Sequence, residues 1–156
     1  GINIASILAT KLDNSNWKDR SVSIVIESFD EKVLENLKSD CGLDKKYVFL
    51  TELDRLPKGL THVPTDYLDR LAAKFDGISV DLALAFDVDG DGNHTIDNGL
   101  IDQAKDAGLS IYGWTLRAEE AKNSVDEYFA KVAQSGLEGI FVDQPDLLRQ
   151  IVDGLA

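Results

Sequence analysis

The sequence holds a single cysteine, Cys41, so an internal disulfide is excluded and the redox compartment stays open. Positive charge is scarce. Sixteen Lys and Arg stand against 28 Asp and Glu, for a formal net charge of −12. A nucleic-acid partner wants a basic surface, and this balance argues against one. It also makes an anionic substrate awkward unless a bound cation offsets the field. No run approaches the length of a membrane-crossing helix, so no transmembrane segment is expected. The first residues carry no signal-peptide pattern, though residue 1 need not be the native start. There are two histidines, His62 in a loop between Pro57 and Pro64 and His94 among aspartates. Neither sits at a strand end, so a His-based nucleophilic triad has no place to form. A glycine-rich phosphate loop is missing too, because Gly90 and Gly92 lie among carboxylates that would repel phosphate.

What is present is a repeat. Val22–Ile26, Tyr47–Leu50, Gly77–Val80, Leu109–Tyr112 and Gly139–Val142 are short runs rich in β-branched and aromatic residues. Their starts are roughly thirty residues apart, the length of one strand-plus-helix unit. Apolar strands alternating with helical patterns predict a parallel sheet covered by helices. A hydrophobic fraction of 44% over 156 residues suits one domain, or part of a larger one. Five such units fit either a stretch of a barrel or a flavodoxin-like sheet of order 2-1-3-4-5. Ile4, Ile7, Leu8 and Leu12 share a helical face, so the chain opens on a helix and is expected to be cut from a longer one. Ser28 and Glu31 read as a capping box, Thr65 as a helix cap, and Gly42, Gly108 and Gly136 as helix stops. Trp17 and Cys41 are expected to pack inward. Function is expected at the C-terminal strand ends, where Glu27, Glu52, Asp81 and Asp143 lie; helix capping and solvent exposure are the structural alternatives for them.

One stretch departs from the repeat. In Asp87-Val-Asp89-Gly-Asp91-Gly-Asn93-His-Thr95-Ile-Asp97, aspartates at positions one, three and five precede a glycine at six. That is the opening of an EF-hand-type calcium loop, in which a hard cation relieves the repulsion of the carboxylates. The expected ligands are Asp87, Asp89, Asp91 and the Asn93 carbonyl, with Asp97 or Asn98 closing the cage. Position twelve is Asn98 instead of the bidentate Glu, and the apolar eighth position is His94. The alternative is a solvated acidic turn. The whole of 1–156 then reads as one domain with a calcium-loop-like insertion at 87–98.

Four motifs in order carry a family resemblance: Val25-Ile-Glu-Ser-Phe-Asp30, Phe75-Asp-Gly-Ile-Ser-Val80, Ala107 to Leu116 with its Gly-Trp-Thr-Leu ending, and Gly139-Ile-Phe-Val-Asp-Gln-Pro145. The series is similar to the glycerophosphodiester phosphodiesterases, with Val142 where that family has Thr. The resemblance runs from about residue 22 to 150. It implies an α/β fold of parallel βα units from a TIM barrel, incomplete here at about five of eight strands. It implies hydrolysis of a glycerophosphodiester to glycerol 3-phosphate and an alcohol, assisted by a divalent cation, calcium or magnesium. By the same resemblance Glu27 would face the metal-phosphate region, Phe29 and Trp114 would wall the glycerol side, and Asp143 would fix the last loop. Plain core packing is the alternative for Trp114. The family's two catalytic histidines and its His-Arg-Gly, Glu-Asn-Thr and Glu-x-Lys motifs do not occur in this chain. It is therefore expected to be inactive alone, and to pair with an N-terminal barrel half or to self-associate. Its aromatic strand end resembles the secreted bacterial members, which implies a periplasmic or secreted location. The alternative function is a non-catalytic calcium-binding or interaction fragment.

Overall fold

A computed structural model describes residues 3–14, 23–40, 45–58 and 60–155. The packing expected of Trp17 and Cys41, and the helix stop expected at Gly42, lie outside the described residues. Among the described residues the chain runs α1 (Ile4–Asp13), β1 (Val25–Ser28), α2 (Glu31–Glu35, continued by a π-type turn over Asn36–Asp40) and β2 (Lys46–Thr51). A 3-10 turn at Leu53–Arg55 leads to α3 (Thr65–Ala72), β3 (Gly77–Asp81), α4 (Leu82–Ala85), β4 (Phe86–Val88), β5 (His94–Asp97) and α5 (Leu100–Asp106). Then come β6 (Ser110–Leu116), a 3-10 turn at Ala118–Glu120, α6 (Val125–Ala133), β7 (Gly139–Val142) and α7 (Pro145–Leu155).

Strands β1, β2, β3, β6 and β7 form one parallel sheet in that order. Strand β2 lies between β1 and β3, which excludes the flavodoxin-like order. The fold is α/β, made of parallel βα units of a TIM barrel, about five of its eight strands. Strands β4 and β5 pair separately as an antiparallel hairpin. That hairpin occupies the stretch read as a calcium-type loop.

The sheet has two different faces, because side chains alternate along a strand. Ile26, Tyr47, Phe49, Ile78, Val80 and Ile111 face the helices and join Leu34, Leu68, Leu71 and Phe129 in one buried core. Each fully buried side chain of this kind contributes about 1.5–3 kcal/mol. The register places Glu27 beside Val48 and Gly77, and Leu50 beside Ser79 and Tyr112, on the opposite face. That is the barrel interior. It is only partly covered: Val25 and Phe29 are each 37% exposed and Phe141 48%.

Several local expectations shift. Asp30, not Ser28, caps α2, accepting from the N–H groups of Lys32 (2.9 Å) and Val33 (3.4 Å). An ionised carboxylate is the stronger acceptor. Glu31, the other half of the expected box, is held instead by a two-pronged pair with Arg70 at 2.8 and 2.9 Å. Pro64 takes the cap position of α3 and Thr65 becomes its first residue. In α1 the buried face is Ala5 and Ala9 with Leu8 and Leu12 beside it, while Ile4 and Ile7 are exposed. The expected stops at Gly108 and Gly136 are there, with φ of 85° and 93°, values that side chains disfavour.

Candidate active site

Barrel sites form at the C-terminal ends of the strands. At that rim β1 delivers Glu27 and, just beyond it, Phe29; β3 delivers Asp81; β6 delivers Trp114; β7 leads into Asp143. Asp81 and Trp114 are register partners, so both project from the interior face. The Phe29 and Trp114 rings meet edge to face, with centroids 5.6 Å apart and planes at 87°. That geometry suits the ring quadrupoles. The Trp114 indole N–H is buried and has no partner among the described residues. Above the other side of Phe29 stands the Arg55 guanidinium, 4.3 Å from the ring centre, itself paired with Glu52 at 2.9 Å. The sequence reading missed Arg55, and an arginine three residues after a strand-end glutamate is its only local signal.

Glu27 is half-buried, and burial raises its carboxyl above the usual carboxylate range. Asp143 lies at the other side of the rim. It accepts from Arg117 Nε at 2.8 Å, while Gln144 Oε1 accepts the Ala118 N–H at 2.9 Å. The two bonds stitch the loop after β7 to the loop after β6. Of the four expected substrate contacts, Phe29 and Trp114 touch, Glu27 shares their face, and Asp143 is joined to the loop that follows the Trp114 strand.

A cavity of about 310 Å³ opens at the ends of β3 and β6. Asp81, Trp114 and Arg117 line it from the sheet, Glu120 and Lys122 from the following loop, Tyr128 from α6, and Asn93 and His94 from the hairpin. His94 Nδ1 donates to the Phe86 carbonyl at 2.8 Å, since a carbonyl oxygen can only accept. His62 is exposed in its loop. Two hydrogen bonds hold the hairpin against the cavity. Asn93 Oδ1 accepts the Lys122 N–H at 2.9 Å, and Asp89 Oδ2 accepts from Lys131 Nζ at 3.2 Å.

The acidic loop spends its donors on the protein. Asp89 accepts from Thr95 Oγ1 (2.6 Å), from the Asn93 N–H (2.9 Å) and from the Asp91 N–H (3.0 Å). These bonds, Thr95 first, hold its carboxyl well below the usual carboxylate range. The Asn93 carbonyl accepts the Asp89 N–H at 2.8 Å. Asp97 accepts the Gly99 N–H at 2.9 Å, and Asn98 accepts the Leu100 N–H at 3.2 Å. Asp87 and Asp91 are exposed. Among the described residues no three His, Cys, Asp or Glu side chains are arranged to hold a metal ion. In this arrangement Lys131 pairs with Asp89, and the described carboxylates of the loop are not gathered as a calcium cage would need. At the rim, Glu27 and Asp81 share the interior face, and among the described residues they too form no group of three metal-ligating side chains.

A scan against protein-family models matches the Glycerophosphoryl diester phosphodiesterase family over residues 7–147. Among solved structures, a candidate glycerophosphoryl diester phosphodiesterase of Silicibacter pomeroyi superposes with a TM-score of 0.71 at 18% identity. The match covers 97% of this chain and 44% of that one, so the chain spans under half the length of this relative. At that identity the likeness establishes the fold. The comparison with curated proteins found no match. The match over residues 7–147 spans the strand ends that carry Phe29, Trp114 and Asp143, and the chain belongs to the glycerophosphoryl diester phosphodiesterase family.

Proposed function

We propose that the chain supplies one wall of a phosphodiester-hydrolysing barrel that converts a glycerophosphodiester and water into glycerol 3-phosphate and an alcohol. The observation that carries this reading is the Phe29–Trp114 pair, an apolar corner on the interior face at the C-terminal rim of a family barrel. Such a corner takes the carbon skeleton of glycerol and keeps water from it. Asp143 holds the loops around Trp114 in place through Arg117. Glu27, with its raised carboxyl, stands on the same face.

The chemical step asks for more than these residues. Acid–base catalysis needs a proton donor and acceptor within hydrogen-bond reach of the reacting oxygens. Of the two histidines, His62 is in an exposed loop and His94 is bonded to a backbone carbonyl, so they form no pair. The proton transfers, and the grip on the divalent cation that family members generally use, fall to barrel units outside this chain. Those units would dock against the uncovered interior face and the two sheet edges, or a second copy would cover them. The second reading, a non-catalytic interaction fragment, is favoured by that same uncovered face.

The test uses a barrel completed with three upstream βα units that carry His-Arg-Gly. Replacing Trp114→Ala should lower kcat/KM for glycerophosphocholine by roughly 10- to 200-fold, the range for apolar pocket groups. An unchanged kcat/KM would remove Trp114 from the substrate wall. If no completed barrel hydrolyses any glycerophosphodiester, the interaction reading replaces the enzymatic one.

A further inference from the structure

We propose that Arg55 is a positioning residue of the substrate wall: from the loop that follows β2 it holds the Phe29 ring against Trp114. Its effect on turnover rests on the phosphodiesterase reading; the clamp itself stands on the geometry of this chain. Phe29 needs a second support. It follows β1, which ends the described sheet and pairs on one side only, with β2. Phe29 is 37% exposed, and the edge-to-face contact with Trp114 steadies one side of its ring.

Arg55 supplies that support, and its own place is fixed in two stages. The backbone comes first. In the 3-10 turn Leu53–Arg55 the Arg55 N–H donates to the Glu52 carbonyl at 3.0 Å, and the Leu56 N–H to the Leu53 carbonyl at 3.2 Å. Leu56, at 7% exposure, anchors the turn in the core. The side chain comes second. Nε donates to Glu52 Oε1 at 2.9 Å, through the edge of the guanidinium, while Cζ stands over the Phe29 ring, 4.3 Å from its centre. A planar guanidinium can hold a carboxylate by its edge and an aromatic ring by its face at once; the point charge of an ammonium cannot. The Arg55 and Glu52 side chains are 50% and 38% exposed, so their ion pair adds little stability. What the pair does is place the cation on the ring. The line Glu52–Arg55–Phe29–Trp114 thereby ties the loop after β2 to the wall at the end of β6.

The experiment has two readouts. In the completed barrel, Arg55→Met keeps an apolar stem and removes the charge. It should raise KM for glycerophosphocholine roughly two- to fivefold and leave kcat unchanged, because a wall serves ground state and transition state alike. Arg55→Lys should recover only part of that loss. In a Phe29→Leu background Arg55→Met should change nothing further, the mark of an effect that passes through Phe29. The second readout needs no turnover. The full 156-residue chain holds two tryptophans, so a nitrogen–proton correlation spectrum shows two indole peaks, and that of Trp114 is the one lost in Trp114→Phe. Arg55→Met should shift this peak, and should leave it in place once Phe29 is leucine. Arg55→Lys is read in the same way should the methionine variant not fold. A Trp114 peak that ignores Arg55 in a folded chain overturns the proposal, and so does an equal shift in both backgrounds. A peak that responds while the completed barrel hydrolyses nothing would sustain the clamp and sink the phosphodiesterase reading. An active barrel whose KM ignores Arg55→Met would do the reverse.

Discussion

Individual side chains carry two sharp consequences. Glu27 sits half-buried, and desolvation raises its carboxyl in the folded state above its unfolded value. The sign follows from linkage. Such a group's contribution is fully present below the unfolded pKa and is lost as pH rises through the folded one. Glu27→Gln should therefore stabilise the chain at pH 7, and the gain should vanish as pH falls below the carboxylate range. Urea denaturation of both proteins at neutral and acid pH measures this; an equal gain at both pH values would mean that charge is not the cause. Asp89 has the opposite shift, so its bonds to Thr95, Asn93 and Lys131 weaken only in strong acid. With Lys131 on Asp89, the melting temperature should be the same in millimolar calcium and in chelator. A rise with calcium would establish the ion cage that the aspartate spacing suggests.

Elements are where sequence and structure part company most instructively. Gly77 opens β3 on the interior face, and a Cβ there would lie 2.8 Å from the Ser110 carbonyl oxygen and 3.2 Å from Val48 Cγ2. Backbone on the next strand cannot retreat, so Gly77→Ala should cost about 1–3 kcal/mol in chemical denaturation. A neutral effect would mean that β3 and β6 can part without loss. The five strands were legible because their apolar runs recur at the length of a βα unit, and strand order then followed chain order. The hairpin was not legible. Asp89, Gly92 and Asn93 suit a tight turn as well as an ion loop, since an Asp carboxylate can be satisfied by N–H groups or by a cation. What decides between them is Lys131, forty-two residues from Asp89 and brought close by α6. The cavity was hidden for the same reason. Asp81, Glu120 and Tyr128 come from three elements, and only the β3–β6 register and the packing of α6 bring them together. Phe29 and Trp114 were expected from the family motifs as two members of one wall, while their edge-to-face contact needed coordinates.

At the scale of the whole molecule, exposed apolar side chains lie on the first and last units of the sheet as well as on Leu53 and on Val88 and Ile96 of the hairpin. Ile4 and Ile7 on α1, Val25 and Phe29 at β1, Phe141 on β7, and Val152 and Leu155 on α7 are all exposed. The helix-facing side of the same sheet is buried in the hydrophobic core. The net charge of −12 adds a global field that resists an anionic substrate until cations offset it. On the proposed reading the chain contributes one wall of a site that other barrel units complete. The most direct test is the release of glycerol 3-phosphate from glycerophosphocholine by the pure 156-residue chain, alone and after addition of three upstream βα units. No release from the chain alone, and chelator-sensitive release from the completed barrel, is the expected result. Release by the chain alone, abolished by chelation, would contradict the account, and so would a completed barrel that stays inactive.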